Sequence, residues 1–105
     1  MLAHQNRLPH STRLHRGKTL QLPFFLFKYA PNTKQGVRFG VVISKRIDKR
    51  ATRRNRMRRL LHAYIQRHLT EFAPNHDYLF ILKSGFNEIG EVQTDLTSLM
   101  KVVSS

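Results

Sequence analysis

The 105-residue sequence contains no cysteine and no tryptophan, and it has few acidic residues. Without cysteine the chain can form neither a disulfide framework nor a thiolate metal site, which fits a reducing compartment. It has no run of about 18 apolar residues, the length that a membrane-spanning helix requires. Residues 1–7 have no apolar segment typical of a signal peptide. We therefore expect a cytoplasmic protein that does not bind membranes.

The scarcity of carboxylates also limits the chemistry that the chain can perform. Its acidic residues are scattered along the sequence, and no pair is placed for a two-metal nuclease site. The sequence contains no glycine-rich phosphate loop and no nucleophile motif. Its histidines do not follow a common metal-ligand spacing. We expect no catalytic residue and no firmly placed metal site in the protein itself.

Basic residues, in contrast, are abundant and clustered. The chain has 19 Lys and Arg against six Asp and Glu, a formal net charge of +13. Nine of the 15 residues from Lys45 to Arg59 are basic, and Asp48 is the one acid among them. A charge run of this density on a predicted helix is typical of a protein that binds a phosphate-rich partner. An ordinary solvated helix face is the alternative interpretation, and it does not account for so few acids.

The pattern along the chain predicts one domain over residues 1–105. Residues 1–19 form a basic N-terminal arm that is either poorly structured or a short helix closed by Gly17. The predicted elements are a strand over 20–29, a strand over 37–45, a helix from 51 to about 72, a strand over 77–83 and a helix from 91 to about 103. The second of these strands is expected to lie antiparallel to the first, across the connection from Pro31 to Gly36. The order (α)ββαβα predicts an α+β fold with helices packed on one sheet.

The central helix is apolar on one side and basic at its start. The apolar stripe is expected to contain Met57, Leu60, Leu61, Tyr64, Ile65, His68 and Phe72, and the opposite side Asn55, Arg59, His62 and Gln66. Continued backwards, the stripe meets Arg53 and Arg54. Arginines cannot close a dry interface without partners, so we expect a water-filled, positively lined cleft between the helix start and the sheet. Positive side chains also oppose the helix dipole there, a penalty that bound phosphates would offset.

The ordered motif around this helix resembles the signature of the bacterial ribonuclease P protein family. Ser44-Lys45-Arg46 takes the place of the family's strand end, and Arg54-Asn55-Arg56 followed by Arg58-Arg59 that of its Arg-Asn-Arg element and basic pair. Asn6-Arg7-Leu8 and Gly17-Lys18 resemble family features nearer the N-terminus. The resemblance covers nearly the whole chain, and the motif in this order is specific, whereas Arg-Asn-Arg alone would not be.

The resemblance implies a fold and a role. The fold is a single-domain α/β sandwich of the ribosomal protein S5 domain 2-like type, with a left-handed βαβ crossover. The implied role is that of the protein subunit of ribonuclease P, an endoribonuclease that removes the 5′ leader of precursor tRNA. Its partners are then the catalytic RNA and precursor tRNA, with no protein partner required. Catalysis belongs to the RNA and uses Mg²⁺ held mainly by RNA and substrate, so the protein alone is expected to be inactive.

The same resemblance, together with the charge pattern, assigns the site residues. The predicted RNA-binding residues are Lys45, Arg46, Lys49, Arg50, Arg53, Arg54, Asn55, Arg56, Arg58 and Arg59. The predicted leader cleft contains Phe27, Ser44, Arg46, Ala51 and Asn55. Small Ala51 would permit close approach of the strand, and Asn55 would bind a base edge or hold a neighbouring arginine. The family's aromatic pair is missing between Leu8 and Gly17. Phe25, Phe27 and Tyr29 share one face of the next apolar strand. Strand phenylalanines lie in the core more often than on a surface that stacks bases, and we take Phe27 as the aromatic residue of the cleft.

A structural RNA-binding protein of another ribonucleoprotein, such as the ribosome, is the alternative function. Both functions require a basic helix on a compact sheet, so composition does not separate them. A basic helix that binds membrane surfaces is a third class, and it leaves the β-rich segments unexplained. The ordered motif around Arg54 favours the ribonuclease P subunit.

Overall fold

The structure is a computed structural model that describes residues 17–32 and 36–103. The predicted short N-terminal helix and most of the N-terminal arm lie outside these residues. The first strand begins at Lys18, so the last two residues of the predicted arm belong to the sheet. In the described part of the chain, no helix combines the length and the apolar character needed to cross a membrane.

Four strands form one mixed sheet. They are β1 (Lys18–Gln21), β2 (Phe25–Pro31), β3 (Val37–Val42) and β4 (His76–Leu82). The order across the sheet is β1-β2-β4-β3. The β1–β2 and β2–β4 pairs are antiparallel, whereas β3 and β4 are parallel. The fold is a single α+β domain, as predicted.

The prediction that the first two long strands pair with each other is wrong. β4 lies between β2 and β3 and hydrogen-bonds to both of them. The connection from β3 to β4 contains a long helix, and a parallel pair requires such a crossover. The βαβ unit is thus present, and its left-handedness stays a prediction from the family resemblance.

The single strand predicted over residues 20–29 is in fact two strands. The chain turns at Pro23, and the backbone N–H of Leu22 donates to the carbonyl of Phe25 at 2.8 Å. Proline has no backbone N–H to give to a ladder, so it is excluded from the interior of a paired strand. Gly17 precedes β1 in close contact with β2, and a Cβ there would lie 2.5 Å from the carbonyl oxygen of Tyr29.

Two helices complete the fold. They are α1 (Ala51–Arg67) and α2 (Gln93–Val103), with short 3₁₀ turns at Leu69–Glu71 and Ile89–Val92. α1 ends five residues earlier than predicted, because the chain leaves the helix at His68. Phe72 is then buried against Phe39, with ring centroids 4.8 Å apart. The predicted final helix is likewise a 3₁₀ turn followed by α2.

The core lies between the helices and one face of the sheet. The strand register places Phe27 beside Phe80 and Tyr29 beside Tyr78 on that face. Phe27 is completely buried, with its ring 4.9 Å from that of Phe80 and 5.9 Å from that of Tyr78. The prediction that Phe27 lines an open cleft is therefore wrong, because a fully buried ring has no surface on which a base can stack.

The apolar stripe of α1 is mostly as predicted. Met57, Leu61, Tyr64 and Ile65 are buried in the core, and Asn55, Arg59 and Gln66 are exposed. His62, which was expected on the exposed side, is buried. At about 100° per residue it lies about 60° from Ile65 around the helix axis, so the buried arc is wide enough to include it.

Candidate nucleic-acid interface

The basic segment begins where β3 ends and turns into α1. A turn closes at Ser44, whose carbonyl accepts a hydrogen bond from the backbone N–H of Ile47 at 3.1 Å. Four basic side chains of this segment are exposed to solvent, namely Lys45, Arg46, Lys49 and Arg50. The turn therefore displays positive charge immediately before the N-terminus of the helix.

Asp48 organises this turn. Its carboxylate accepts the backbone N–H of Arg50 at 2.9 Å and the Nε of Arg53 at 2.8 Å. It also accepts the Nε and Nη2 of Arg50, at 3.2 and 3.3 Å. These bonds, above all those from Arg50, lower the pKa of Asp48 from 3.8 to about 2. The one acid of the basic segment is thus fully ionised at neutral pH and orders its neighbours.

The acidic side chain nearest in sequence to the N-terminus of α1 is that of Asp48, which precedes the helix and already binds Arg50 and Arg53. Arg50 is the N-cap residue, and its side chain accepts no hydrogen bond from the first turn. That turn also contains no acidic residue. A helix N-terminus carries positive partial charge on its free N–H groups. The local field of the helix therefore adds to the charge of the arginines and favours anions.

Arg54 binds the backbone of the turn that precedes α1. Its Nη1 donates to the backbone carbonyls of Asp48 and Lys49, both at 2.9 Å. Its neighbour Arg53 is half-buried and binds acceptors of the protein as well. The premise of the predicted water-filled cleft, that these two arginines lack partners in the protein, is therefore wrong. Their guanidinium groups compensate their burial with hydrogen bonds inside the protein.

Asn87, in the loop between β4 and α2, contacts the same helix. Its side-chain oxygen accepts a hydrogen bond from Nη2 of Arg53, and its backbone carbonyl accepts one from Nη2 of Arg56 at 3.4 Å. Asn87 was not predicted from the sequence, since it lies 34 residues beyond Arg53 and no local pattern links the two residues. The spacing of Glu88 and Glu91 does predict a helix start there, and a capping box joins these two residues.

Asn55 and Arg58 form a pair one helical turn apart. The Nη1 of Arg58 donates to Oδ1 of Asn55 at 2.9 Å. Of the two roles predicted for Asn55, the structure thus provides the holding of a neighbouring arginine. The NH₂ group of the same amide remains a donor that a base edge or a phosphate can accept.

Two arginines lie on the fully exposed side of α1. Arg56 and Arg59 are solvent-exposed and, with Thr52 and Leu60, line a surface depression of about 400 Å³. Among the described ion pairs, neither arginine is paired with a carboxylate. Their charge is therefore available to a polyanion.

The structure keeps four of the five predicted leader-cleft residues on the surface. Ser44, Arg46, Ala51 and Asn55 are exposed, and Ala51 and Asn55 lie one turn apart on the same side of α1. Phe27 is separated from them by its burial in the core. The four exposed residues follow one another from the end of β3 over the first turns of α1.

Every acidic side chain of the protein accepts a hydrogen bond within it. Asp77 binds Arg38 at 2.8 Å, and Asp95 accepts the backbone N–H of Phe24 at 2.7 Å. Glu71 binds His68, while Glu88 and Glu91 form the capping box described above. The described residues contain no group of three metal-ligating side chains. Each carboxylate therefore has a hydrogen-bond partner within the protein.

The fold and this basic crossover helix together define a class: a small α+β domain that presents a cationic helix beside one sheet. Residues 5–103 match the family model for ribonuclease P proteins. The chain belongs to the ribonuclease P protein family.

Individual relatives agree with this assignment. The chain is 41% identical over 68 residues to a ribonuclease P protein component of a Synechococcus strain, covering 63% of this chain and 54% of the relative. It is 32% identical over 91 residues to that of Carboxydothermus hydrogenoformans, covering 83% and 78%. The first of these matches thus spans about half of the relative's length.

Solved structures support the fold. The RNase P protein of Staphylococcus aureus superimposes with a TM-score of 0.81 at 18% identity, covering 95% of this chain and 98% of that one. The RNase P protein of Thermotoga maritima gives a TM-score of 0.65 at 22% identity, covering 85% and 83%. At these identities the likeness concerns the fold.

Proposed function

We propose that this chain is the protein subunit of ribonuclease P. It binds the catalytic RNA through the basic turn and the exposed side of α1, and the holoenzyme removes the 5′ leader of precursor tRNA in the cytoplasm. Family membership and the exposed cations of the turn that precedes α1 support this proposal. The cations lie where the helix dipole also attracts phosphate groups, so the two effects add.

The side chains that are present indicate which parts of the reaction belong to the RNA and which to the protein. The protein's carboxylates are occupied in stabilising the fold, so the proposal assigns the Mg²⁺ ions of the reaction to the RNA and its substrate. The protein contributes charge neutralisation, which lowers the concentration of Mg²⁺ that the RNA requires for activity. The protein without RNA cleaves nothing.

The leader path in this proposal runs over the exposed residues that precede and begin α1. Ala51 has a small side chain, which lets a strand approach the helix closely. Asn55 offers its NH₂ group, and Arg46 offers positive charge nearby. The aromatic contact predicted from Phe27 is not part of the path, because that ring is buried.

The decisive experiment is reconstitution. Purified protein is added to a bacterial ribonuclease P RNA at low Mg²⁺, and cleavage of precursor tRNA is measured. We expect strong stimulation with protein, little cleavage by the RNA alone and none by the protein alone. Absence of stimulation, together with tight binding to ribosomal RNA, would favour the alternative of a structural RNA-binding protein.

A further inference from the structure

Two loops that are distant in sequence meet at one arginine of α1. The Nε of Arg53 donates to the carboxylate of Asp48 at 2.8 Å, and its Nη2 donates to the side-chain oxygen of Asn87. Asp48 belongs to the turn before α1, and Asn87 belongs to the loop after β4. The side chain of Arg53 is 35% exposed, less than that of Arg50 at 69%. Arg53 therefore joins the two loops across the start of the helix.

Asn87 is itself held in place from the other side. Its backbone N–H donates to the carboxylate of Glu91 at 2.8 Å. Glu91 lies in the 3₁₀ turn that leads into α2, where it also accepts the N–H of Glu88 at 2.7 Å. The backbone carbonyl of Asn87 accepts from Arg56 on the exposed side of α1. Asn87 thus connects the 3₁₀ turn before α2 with two arginines of the basic helix.

We infer that Asn87 is a positioning residue of the RNA interface, and that Arg53 is a brace between Asp48 and Asn87 and does not contact phosphate. This inference rests on the proposed function, since it assigns roles within the same interface. A guanidinium group can span two acceptors with its planar fork, whereas the ammonium of lysine is a point charge. Side chains ordered before binding do not have to be ordered by the RNA, which saves part of the cost of association.

The test is equilibrium binding of a fluorescent bacterial ribonuclease P RNA at several salt concentrations. The variants are Asn87→Ala, Arg53→Lys and the double variant, with Arg59→Gln as the control that removes an exposed cation. We expect each single variant to bind about three- to ten-fold more weakly. The double variant should bind RNA no more weakly than the single variant of lower affinity, because both changes remove the same contact between Arg53 and Asn87. The salt slope should stay unchanged in all three and fall by about one in Arg59→Gln.

Several results would overturn the inference. Wild-type affinity of Arg53→Lys would show that the planar guanidinium group of Arg53 is not required for RNA binding. Additive losses in the double variant would show that Asn87 acts independently of Arg53. A lower melting temperature with unchanged RNA affinity of the folded variants would make the connection merely structural. If wild-type protein did not bind the RNA and Arg59→Gln changed nothing, the proposed function itself would fail, an outcome distinct from the others.

Discussion

Oδ1 of Asn55 accepts a hydrogen bond from Nη1 of Arg58 at 2.9 Å, across one turn of the exposed basic helix. We predict that Asn55→Ala weakens leader-dependent binding several-fold, because Arg58 then loses its acceptor and must be ordered by the RNA. The melting temperature should change little, since the pair is exposed. The measurement compares the affinity of the reconstituted enzyme for precursor tRNA with and without its leader.

The matched control for this variant is Gln66→Ala, which also alters an exposed amide of α1 but lies beyond the basic cluster. It should leave both affinities unchanged. A large loss of thermal stability in Asn55→Ala with normal leader-dependent affinity would instead make Asn55 a structural residue.

Removing the charge of Arg59 should weaken RNA binding and flatten its salt dependence. Arg59 is exposed on α1, and each phosphate contact that is lost lowers the slope of log K against log salt by about one. Arg59→Gln can be compared with Lys101→Gln, which removes one charge from an exposed position in α2. Only the first variant should change the slope. An equal effect of both would indicate attraction by net charge alone.

Phe27 should affect stability and not RNA contacts. Its ring is completely buried against Phe80 and Tyr78. Phe27→Ala should lower the free energy of unfolding by about 3–5 kcal/mol, which is a large part of the stability of a small domain. Phe27→Leu keeps an apolar side chain that leaves a smaller cavity, so it should destabilise the protein less than Phe27→Ala and keep the wild-type affinity for RNA. Urea denaturation of both variants measures the loss of stability. A loss of RNA affinity in Phe27→Leu without loss of stability would show that the ring contacts RNA.

Asp48 should make the protein sensitive to acid. Its pKa in the folded protein is lowered from 3.8 to about 2, so the ionised form stabilises the fold above the ordinary pKa. This contribution should be lost as the pH falls from about 4 towards 2. The variant Asp48→Asn has no ionisable carboxyl group at this position, so it lacks this stabilising contribution at every pH. The difference in melting temperature between wild type and this variant should therefore be present at pH 6 and vanish near pH 2, and a constant difference would contradict the assignment.

Tyr78 should make the protein sensitive to alkali. Burial raises the pKa of its phenol from 10.0 to about 12, so the neutral phenol favours the folded state below the ordinary pKa. This contribution should disappear as the pH rises from 10 towards 12. Tyr78→Phe should lower the free energy of unfolding by about 1 kcal/mol at neutral pH, because it removes the hydrogen bond that the hydroxyl donates to the carbonyl of Ala73 at 2.9 Å. Its stability should then fall less steeply above pH 10 than that of wild type, as denaturation curves would measure.

The local elements were largely predictable, because they depend on periodicity and on turn residues. The pattern that ends at Pro74-Asn75 predicts a helix stop, and the chain does leave α1 before that point. The choice of neighbours in the sheet was not predictable in the same way. β4 is inserted between β2 and β3, and the partner of a strand depends on contacts far along the chain that no local pattern encodes.

The site was predictable in its composition and less so in its geometry. Density of charge predicted the basic turn and α1, and the motif around Arg54 predicted the family. The number of cations did not reveal which of them bind acceptors of the protein. Arg53 and Arg54 do so, as do Arg50, Arg56 and Arg58, and one of the acceptors, Asn87, comes from the loop between β4 and α2.

Charge, the order of the motif and most of the helices and strands can be predicted from the amino-acid sequence alone, and the motif is enough to indicate the family. These properties are local, since each depends on residues within a few turns of one another. The burial of Phe27, the position of β4 between β2 and β3 and the contact between Asn87 and Arg53 follow from the packing of the folded chain. Those outcomes depend on which surfaces the folded chain brings together, because burial and hydrogen-bond partners are properties of the packed molecule.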